Sequence, residues 1–214
     1  MDALARLPVS TLCDVDKSLP VVDPAIRPLT FTTRIVGPAY TVVASGEFLS
    51  VLYAIGEAAP GDVLVVQAGG APLAALGELL ATEAWQRGLG GIVVDGYVRD
   101  RSGLPPDLPL WARGTVPMAG RSDVAPRVGG PVVCGGVRVQ PGQLVIADDD
   151  GIVIASREQL EACVERAEQI ERTEAKVLGE VRVGASLIDM TNLGEHVAAL
   201  RRGEPSSLAI TPPS

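Results

Sequence analysis

The segment from Gly91 to Asp100 constrains the fold of this chain more than any other. Ile92–Val94 are three consecutive branched apolar residues, which is typical of a short strand in a sheet that is covered on both faces. Asp95-Gly96 follows directly, and this dipeptide predicts that the chain leaves the sheet there. The adjacent pair Arg99-Asp100 comes next. The pattern therefore predicts a buried strand that delivers a cation and an anion to its carboxyl end.

A strand and a helix are predicted immediately upstream. Residues 61–70 have the pattern of another strand that ends in a glycine turn. The segment 77–88 has apolar residues at helical spacing, with Gly88 as a stop signal; they are Leu80, Ala81, Ala84 and Trp85. A helix that begins at Gly77-Glu78 presents unpaired amides and a positive dipole end, which favours a bound carboxylate or phosphate. The alternative is that Gly77 only permits a tight turn.

Two interpretations of Arg99-Asp100 stay open on the residues alone. Open α/β sheets bind ligands at the carboxyl ends of their strands, and this is where the pair falls. Arg can hold a carboxylate with two parallel hydrogen bonds, and Asp can bind a hard divalent cation. The alternative is a loop salt bridge between chain neighbours, which has no functional meaning.

Several longer motifs resemble one known family, the class II 4-hydroxy-4-methyl-2-oxoglutarate aldolases, which also includes the regulator of ribonuclease E activity A. The similarity runs from about Pro8 to about Leu178. It is carried by GELLATEAWQRGLGGIVVDGYVRD, LPLWARGTVP, PVVCGGVRVQPG and IADDDGIVIA. These motifs are far more specific than a single glycine fingerprint.

The resemblance implies an α/β fold, a single domain in β/β/α layers with a Val-rich central sheet and flanking helices. Residues 1–180 are expected to form this domain, and residues 181–214 a C-terminal helix and flexible tail of the same domain. The composition agrees, because 24 Gly, 17 Pro and only 3% aromatic residues suit Val-rich strands joined by tight turns.

The resemblance also implies a metal-dependent carbon–carbon lyase. Such an enzyme cleaves a 4-hydroxy-2-oxo acid, releases pyruvate through a metal-stabilised enolate, and decarboxylates oxaloacetate as a side activity. The two lysines, Lys17 and Lys176, lie outside the motif loops, so nothing indicates a Schiff base. The main alternative is a non-catalytic regulator that binds a ribonuclease or another large partner. A lyase for an unrelated oxo acid is a further alternative.

Site residues follow from the resemblance by matching motifs. Asp100 is expected to bind the metal directly, and Glu78 to hold water molecules around it. Arg99 is expected to bind substrate and stabilise the enolate oxygen. The helix start after Gly77 would bind the pyruvate carboxylate through the amides of Leu79 and Leu80. Hard oxygen ligands and retained waters favour Mg²⁺, with Mn²⁺ as the alternative.

A long helix is predicted over residues 157–178, and Glu174 falls on its apolar stripe. In the resembled family an acidic residue of this helix completes the site of a neighbouring subunit through metal-held water. Glu174 is the candidate and Glu171 the reserve, while the alternative is that Glu174 is simply exposed. The resemblance further implies a homotrimer, or a hexamer made of two trimers.

The chain departs from the resembled family at a few positions. Gln67 and Gln143 stand where relatives carry Asp, Met118 stands where an Arg is common, and residues 48–50 lack a frequent histidine. These changes leave Glu78, Arg99 and Asp100 intact but predict a smaller or less acidic substrate.

Charge and hydropathy exclude several classes of partner. A net charge of −8 argues against nucleic acid, and no segment reaches the ~20 apolar residues of a membrane span. No export signal is visible, so a cytoplasmic protein is expected, with Cys13, Cys134 and Cys163 as buried thiols. Asp148–Asp150 before Gly151 predict a hairpin turn rather than a calcium loop.

Overall fold

The computed structural model describes residues 3–211. A seven-stranded sheet has the order β1-β5-β4-β3-β2-β8-β9, and a separate hairpin joins β6 and β7. The strands are Arg27–Pro28 (β1), Ile35–Val43 (β2), Val63–Gln67 (β3), Gly91–Val98 (β4), Leu110–Thr115 (β5), Val132–Cys134 (β6), Val137–Val139 (β7), Leu144–Asp148 (β8) and Gly151–Ala155 (β9). The helices are Val9–Val15 (α1), Leu49–Glu57 (α2), Glu78–Gln86 (α3), Arg157–Arg182 (α4) and Leu193–Arg201 (α5). The predicted α/β fold is confirmed.

The centre of the sheet is parallel. β2, β3, β4 and β5 run in the same direction, with Val65 opposite Val93 and Val93 opposite Trp111. β8 and β9 add an antiparallel hairpin to the other edge of β2. All four central strands therefore end at one edge of the sheet, where ligands bind in folds of this class.

Glycines set the starting points of three of these strands. The carbonyl oxygen of Gly61 lies where a Cβ on Gly37 would sit, and it would lie 2.6 Å from a Cβ on Gly90. The amide of Gly61 also donates to the carbonyl of Gly88 over 2.8 Å. Only residues without a side chain permit this approach, so the segments before β3 and β4 start level with each other.

Each face of the sheet carries its own apolar cluster. On one face α2 and α3 cover Leu64, Val66, Ile92 and Val94. On the other face the β6–β7 hairpin covers Val63, Val65, Val93 and Trp111. Alternate residues of each strand thus enter opposite clusters, which explains why the strands read as continuous apolar runs. The hairpin, the sheet and the helices are the three layers expected from the sequence.

The prediction that the chain leaves the sheet at Asp95-Gly96 is wrong. β4 continues to Val98, with an irregular register against β5 between Val94 and Tyr97. This position of the strand needs a glycine, because a Cβ on Gly96 would lie 2.5 Å from the Cβ of Ala68. Asp95 tolerates a strand position because its carboxylate has partners on the hairpin side.

Two smaller predictions also need correction. Trp85, predicted on the buried face of α3, is 48% exposed, because the short helix buries mainly Ala81 and Ala84. Cys13, predicted buried, is only half-buried on α1, whereas Cys134 and Cys163 are buried as expected. The β8–β9 hairpin is confirmed, and Asp148 acts as a turn former that accepts the amide of Asp150 over 3.1 Å.

An ion-pair network fastens the β6–β7 hairpin to the sheet. Arg113 on β5 donates to Asp95 over 2.6 Å and to Asp23 over 2.8 Å. The second oxygen of Asp95 accepts the amide of Gly135 in the hairpin turn over 2.8 Å. Because the network is partly buried, its members support one another more than exposed ion pairs would.

The chain divides into two compact units between Val164 and Glu165. In the second unit the end of α4 is followed by α5, which is the helix expected within residues 181–214. Ala209 donates to the Asn192 side chain over 2.8 Å, so the segment after α5 returns to the start of that helix. The last three residues of the predicted tail lie outside the described residues. None of the helices in residues 3–211 is long and apolar enough to cross a bilayer.

Acid should weaken the network through Asp23. The amide of Ala25 and then the Arg113 guanidinium hold the pKa of Asp23 below its ordinary value. A depressed carboxylate pKa contributes stability above the unfolded pKa of about 3.9, and this contribution is lost as pH falls through the folded value. Asp23→Asn should therefore lower the Tm near neutral pH and lose this effect at acidic pH. Thermal melts across pH 7 to 2 test this, and a constant Tm difference would contradict it.

Candidate functional site

The predicted Arg99-Asp100 pair follows β4 directly. Asp100 has φ 56° and ψ 42°, the left-handed conformation, and among the described residues it alone adopts a positive φ without being glycine. Asp tolerates this region better than most residues, at some cost in free energy. A 3₁₀ turn at Arg101–Gly103 follows. This sparsely populated backbone conformation sets the direction of the Asp100 side chain. Such conformations recur at functional sites.

The end of β4 lies against the start of α3. Arg99 donates its amide to the carbonyl of Leu76 over 3.0 Å, and Ala75 donates to Tyr97 over 2.9 Å. A Cβ on Gly77 would lie 2.5 Å from Asp100 Oδ2 and 2.8 Å from Arg99 Cγ. Gly77 is therefore required for this close approach, and the alternative that it only permits a turn is insufficient.

Glu78, the first residue of α3, packs against Gly103 of the Arg101–Gly103 turn. A Cβ on Gly103 would overlap the Glu78 carboxylate, so this glycine makes room for it. Gly103 in turn donates its amide to the carbonyl of Asp100 over 2.9 Å. The predicted trio of Glu78, Arg99 and Asp100 thus converges on the amino end of α3. Sequence reasoning missed Gly103, although a glycine three residues after the pair was a visible signal.

A small cavity of about 160 Å³ adjoins this cluster. It is lined by Phe48, Ala74, Leu76, Gly77, Leu79, Leu80, Arg99 and Ala119. The first helical hydrogen bond of α3 runs from Ala81 to Gly77 over 3.0 Å, so the amides of Leu79 and Leu80 precede it. Such first-turn amides have no partner within their helix and can bind an anion.

Glu47, which precedes Phe48 of the cavity wall, is a buried carboxylate that sequence reasoning missed. It is 1% exposed, and one oxygen accepts the amide of Ser50 over 2.9 Å at the start of α2. The other oxygen has no hydrogen-bond partner among the described residues. Gly120 packs on the Glu47 backbone, and Gly120 also donates to Ala74 over 2.9 Å. Glu47 and Gly120 thus connect the start of α2 with the segment that precedes α3.

Arg99 and Asp100 of the candidate site also form an ion pair with each other. Arg99 Nε lies 3.2 Å from Asp100 Oδ2, and the two side chains are 41% and 45% exposed. The loop salt bridge allowed by the sequence is therefore present. Exposed pairs contribute little to stability, so this contact does not explain the glycines that make room for the two side chains.

The acidic residues suit a largely hydrated divalent cation. Asp100 offers a half-exposed carboxylate, and Glu78 lies beside the same helix start. Within residues 3–211 no group of three or more His, Cys, Asp or Glu could hold a metal ion. Mg²⁺ keeps several waters and needs only one or two carboxylates, so this donor set fits it better than a metal that requires a full protein cage.

The remaining candidate positions lie outside this cluster. Glu174 is exposed on α4, as the alternative reading of its stripe had it, and lines an apolar groove of the second unit with Val177 and Ile210. Gln67 accepts the amide of Val133 over 2.7 Å, and Gln143 accepts that of Gln140 over 2.8 Å. These two departures from the family pattern therefore have structural roles.

Two larger cavities lie away from the start of α3. One of about 820 Å³ lies between residues 28–31 and 101–106, and one of about 600 Å³ lies beside Thr41 and Tyr53. Neither is lined by Arg99 or by the start of α3. The small cavity at α3 is therefore the better candidate despite its size.

The cysteine thiols are unsuited to nucleophilic chemistry. Burial raises the pKa of Cys134 to about 12 and also raises the pKa of Cys13 and Cys163. The thiolate is the reactive form, so these groups stay neutral and unreactive near pH 7.

Comparison with known proteins identifies the class. Residues 9–154 match the RraA-like family, described as Aldolase/RraA. A protein of Halalkalibacterium halodurans, named "Putative 4-hydroxy-4-methyl-2-oxoglutarate aldolase", is 36% identical over 166 residues, which cover 76% of this chain and 79% of that protein. The chain belongs to the RraA-like family.

Solved structures agree on the fold. An uncharacterized protein from Pseudomonas syringae aligns with a TM-score of 0.77 at 27% identity, covering 88% of this chain and 90% of that one. Streptomyces coelicolor RraAS2, described as an unusual member of the RNase ES inhibitor RraA protein family, aligns with a TM-score of 0.72 at 33% identity. That alignment covers 81% of this chain and 92% of that one. The names of these relatives thus include both an aldolase and a ribonuclease inhibitor.

Gly77→Ala should disturb the cation site without unfolding the protein. The added methyl group would overlap Asp100 and Arg99 side chains, while the extended φ of −144° at Gly77 is open to alanine. We expect Mn²⁺ affinity, followed by water-proton relaxation, to fall by ~10-fold or more, since Mg²⁺-type sites depend on few carboxylates. Gly56→Ala on α2, where a Cβ meets nothing within 4 Å, is the matched control. Unchanged Mn²⁺ affinity in folded Gly77→Ala would contradict the site.

Proposed function

We propose that this protein is a divalent-metal-dependent lyase that cleaves a 4-hydroxy-2-oxo acid and releases pyruvate. The observation that carries the proposal is the packing of Arg99 and Asp100 against Gly77, at the amino end of α3. A cation, an acidic ligand and unpaired amides there offer what an enolate-forming reaction needs. Membership of a family with an aldolase-named relative supports the same chemistry.

The amides at the start of α3 would hold the substrate carboxylate. Leu79 and Leu80 supply them, and the helix dipole adds to their attraction for an anion. Because Gly77 lets Arg99 approach the same point, the guanidinium can donate to the neighbouring 2-oxo oxygen. Arg99 would then stabilise the negative charge that develops on that oxygen when the carbon–carbon bond breaks.

Asp100 and Glu78 would hold the cation, Mg²⁺ or Mn²⁺. A divalent cation, when bound, polarises the 2-oxo group and so lowers the energy of the enolate. Asp100 would be the direct ligand. Glu78 would accept hydrogen bonds from the surrounding waters and orient them, a role in which loss of a partner typically costs 10- to 100-fold in affinity or activity.

The proposal includes two further features, a side activity and a site shared between subunits. Oxaloacetate decarboxylation would use the same enolate, so it is proposed as a side activity. Glu174 is proposed to complete the site of a neighbouring subunit in a homotrimer, or in a hexamer of two trimers. The site of one chain offers few acidic ligands, and a neighbour's carboxylate would complete it.

A protein-binding regulator is the second candidate, favoured by the likeness to RraAS2. A regulator has no need for the converging trio at α3, which is why the lyase is preferred. If neither Mg²⁺ nor Mn²⁺ supports pyruvate release from any of a panel of 2-oxo acids, the regulator becomes the better proposal.

Asp100→Asn should abolish turnover while keeping the fold. Asn tolerates the left-handed backbone as Asp does, whereas Ala there would add about 1 kcal/mol of strain. We expect pyruvate release from oxaloacetate with Mg²⁺ to fall at least ~10²-fold, the scale of losing one electrostatic contact to the developing charge. Asp107→Asn, at an exposed position, is the control. Undiminished turnover in Asp100→Asn, or in wild type with excess chelator, would overturn the metal-dependent mechanism.

A shared site should show complementation between inactive subunits. Closed rotational symmetry gives every site the same contribution from its neighbour. Glu174→Gln should be inactive on its own, and mixing it with Asp100→Asn under subunit exchange should restore part of the activity. Light scattering measures the assembly. A fully active monomer would refute the shared site.

A further inference from the structure

The cavity beside Arg99 has an almost entirely apolar wall. Arg99 is the one charged residue that lines it among the described residues. The remaining wall is made by Phe48, Leu79, Leu80 and small residues. A carboxylate placed against such a wall loses its hydration without gaining a partner, which carries a large cost in free energy.

Neighbouring cations are engaged elsewhere. Arg121, on the rim segment after Ala119, donates to both oxygens of Asp123 over 2.9 and 3.3 Å. Arg101 lines the separate cleft that contains Phe31. A second substrate carboxylate in the small cavity would therefore have to share Arg99 with the 2-oxo oxygen.

The acidic side of the site repels a second anion as well. Asp100 and Glu78 both lie at the start of α3, beside the cavity. Like charges at short range disfavour each other most strongly where water is excluded. Within the described residues of one chain, the charges that line the cavity thus balance one substrate carboxylate and one divalent cation.

We infer that the substrate of the carbon–carbon cleavage carries a single carboxylate, at C1, and that its C4 substituent is uncharged and apolar. In the proposed side activity the C4 carboxylate of oxaloacetate is instead lost as uncharged CO₂. The inference rests on the proposed lyase function and specifies the substrate class of the same site. The cavity volume of about 160 Å³ corresponds to about five waters at ~30 Å³ each. A methyl or ethyl group at C4 fits this space beside the 2-oxo acid.

The reaction balances without an oxidant or a co-substrate. The C4 hydroxyl gives its proton to water, the C3–C4 bond breaks, and its electron pair remains on the pyruvate enolate. C4 becomes the carbonyl carbon of a small aldehyde or ketone. The enolate then takes one proton from water at C3 to give the methyl group of pyruvate.

The test compares two substrates that differ only at C4. 4-Hydroxy-2-oxopentanoate carries a methyl group there and 4-hydroxy-2-oxoglutarate a carboxylate. With Mg²⁺ present, we expect kcat/KM to favour the pentanoate by ~10-fold or more, because the carboxylate is buried without a partner. An equal or higher value for the glutarate overturns the inference and leaves the lyase function standing. Cleavage of neither compound, with no release of pyruvate from oxaloacetate, overturns the lyase function itself.

An added cation should reverse the preference. Ala119→Arg places a guanidinium on the cavity wall, and Ala119→Met supplies similar length without charge. We expect the arginine variant to shift the substrate ratio by ~10-fold toward the glutarate, the scale of one charge pair, and the methionine variant not to do so. Met118→Arg, at a 66% exposed rim position, replaces the first variant if that one fails to fold. An unchanged ratio in a folded arginine variant contradicts the inference.

Discussion

The carbonyl oxygen of Gly61 is packed where side chains on Gly37 and Gly90 would otherwise sit. This contact between backbones fixes where the parallel strands begin. β3 and β4 then pair residue for residue, from Val63 opposite Gly91 to Gln67 opposite Asp95. Because the starts are level and the strands are parallel, the end of β3 lies opposite Asp95, and β4 extends beyond it to Val98. The position of the candidate site therefore depends on a contact at the opposite edge of the sheet.

The two faces of the sheet divide the work of the fold. The hairpin face is closed by Asp95 and Gln67, which accept amides of the β6–β7 hairpin and its turn, while Arg113 donates to Asp95. The helix face brings the starts of α2 and α3 together around a small cavity. Polar groups at the ends of the strands thus serve structure on one face and are proposed to serve chemistry on the other. The two uses do not compete, since alternate residues of a strand point to opposite faces.

Much of this could be predicted from the residues. The Val-rich runs, the helix from Glu78 and the Asp-Gly hairpin after β8 follow from local patterns and were predicted correctly. The path of β4 past Asp95-Gly96 was not, because the partners of Asp95 come from distant segments. Arg113 and Gly135 satisfy the carboxylate, and Ala68 fills the space left by Gly96. Local turn signals carry no information about such contacts.

The candidate site shows the same division. The choice of Arg99, Asp100 and Glu78 as candidate residues could be made from the sequence, because it follows from residue type and motif. Gly103 was missed although its position after the pair was a visible signal, and Glu47 could not be assigned because its importance lies in burial. The apolar wall of the cavity was equally hidden, since Phe48, Leu79 and Ala119 come from three separate segments.

The left-handed backbone at Asp100 has a consequence for how this fold can change over time. Only Asp, Asn and Gly occupy such a conformation at little cost. Codons for Asn and Gly each lie one nucleotide away from codons for Asp. A single mutation that the fold tolerates would therefore switch off the proposed chemistry of the site, and the same scaffold would remain available for binding alone. Two such different roles, catalyst and binder, would be separated here by one side chain.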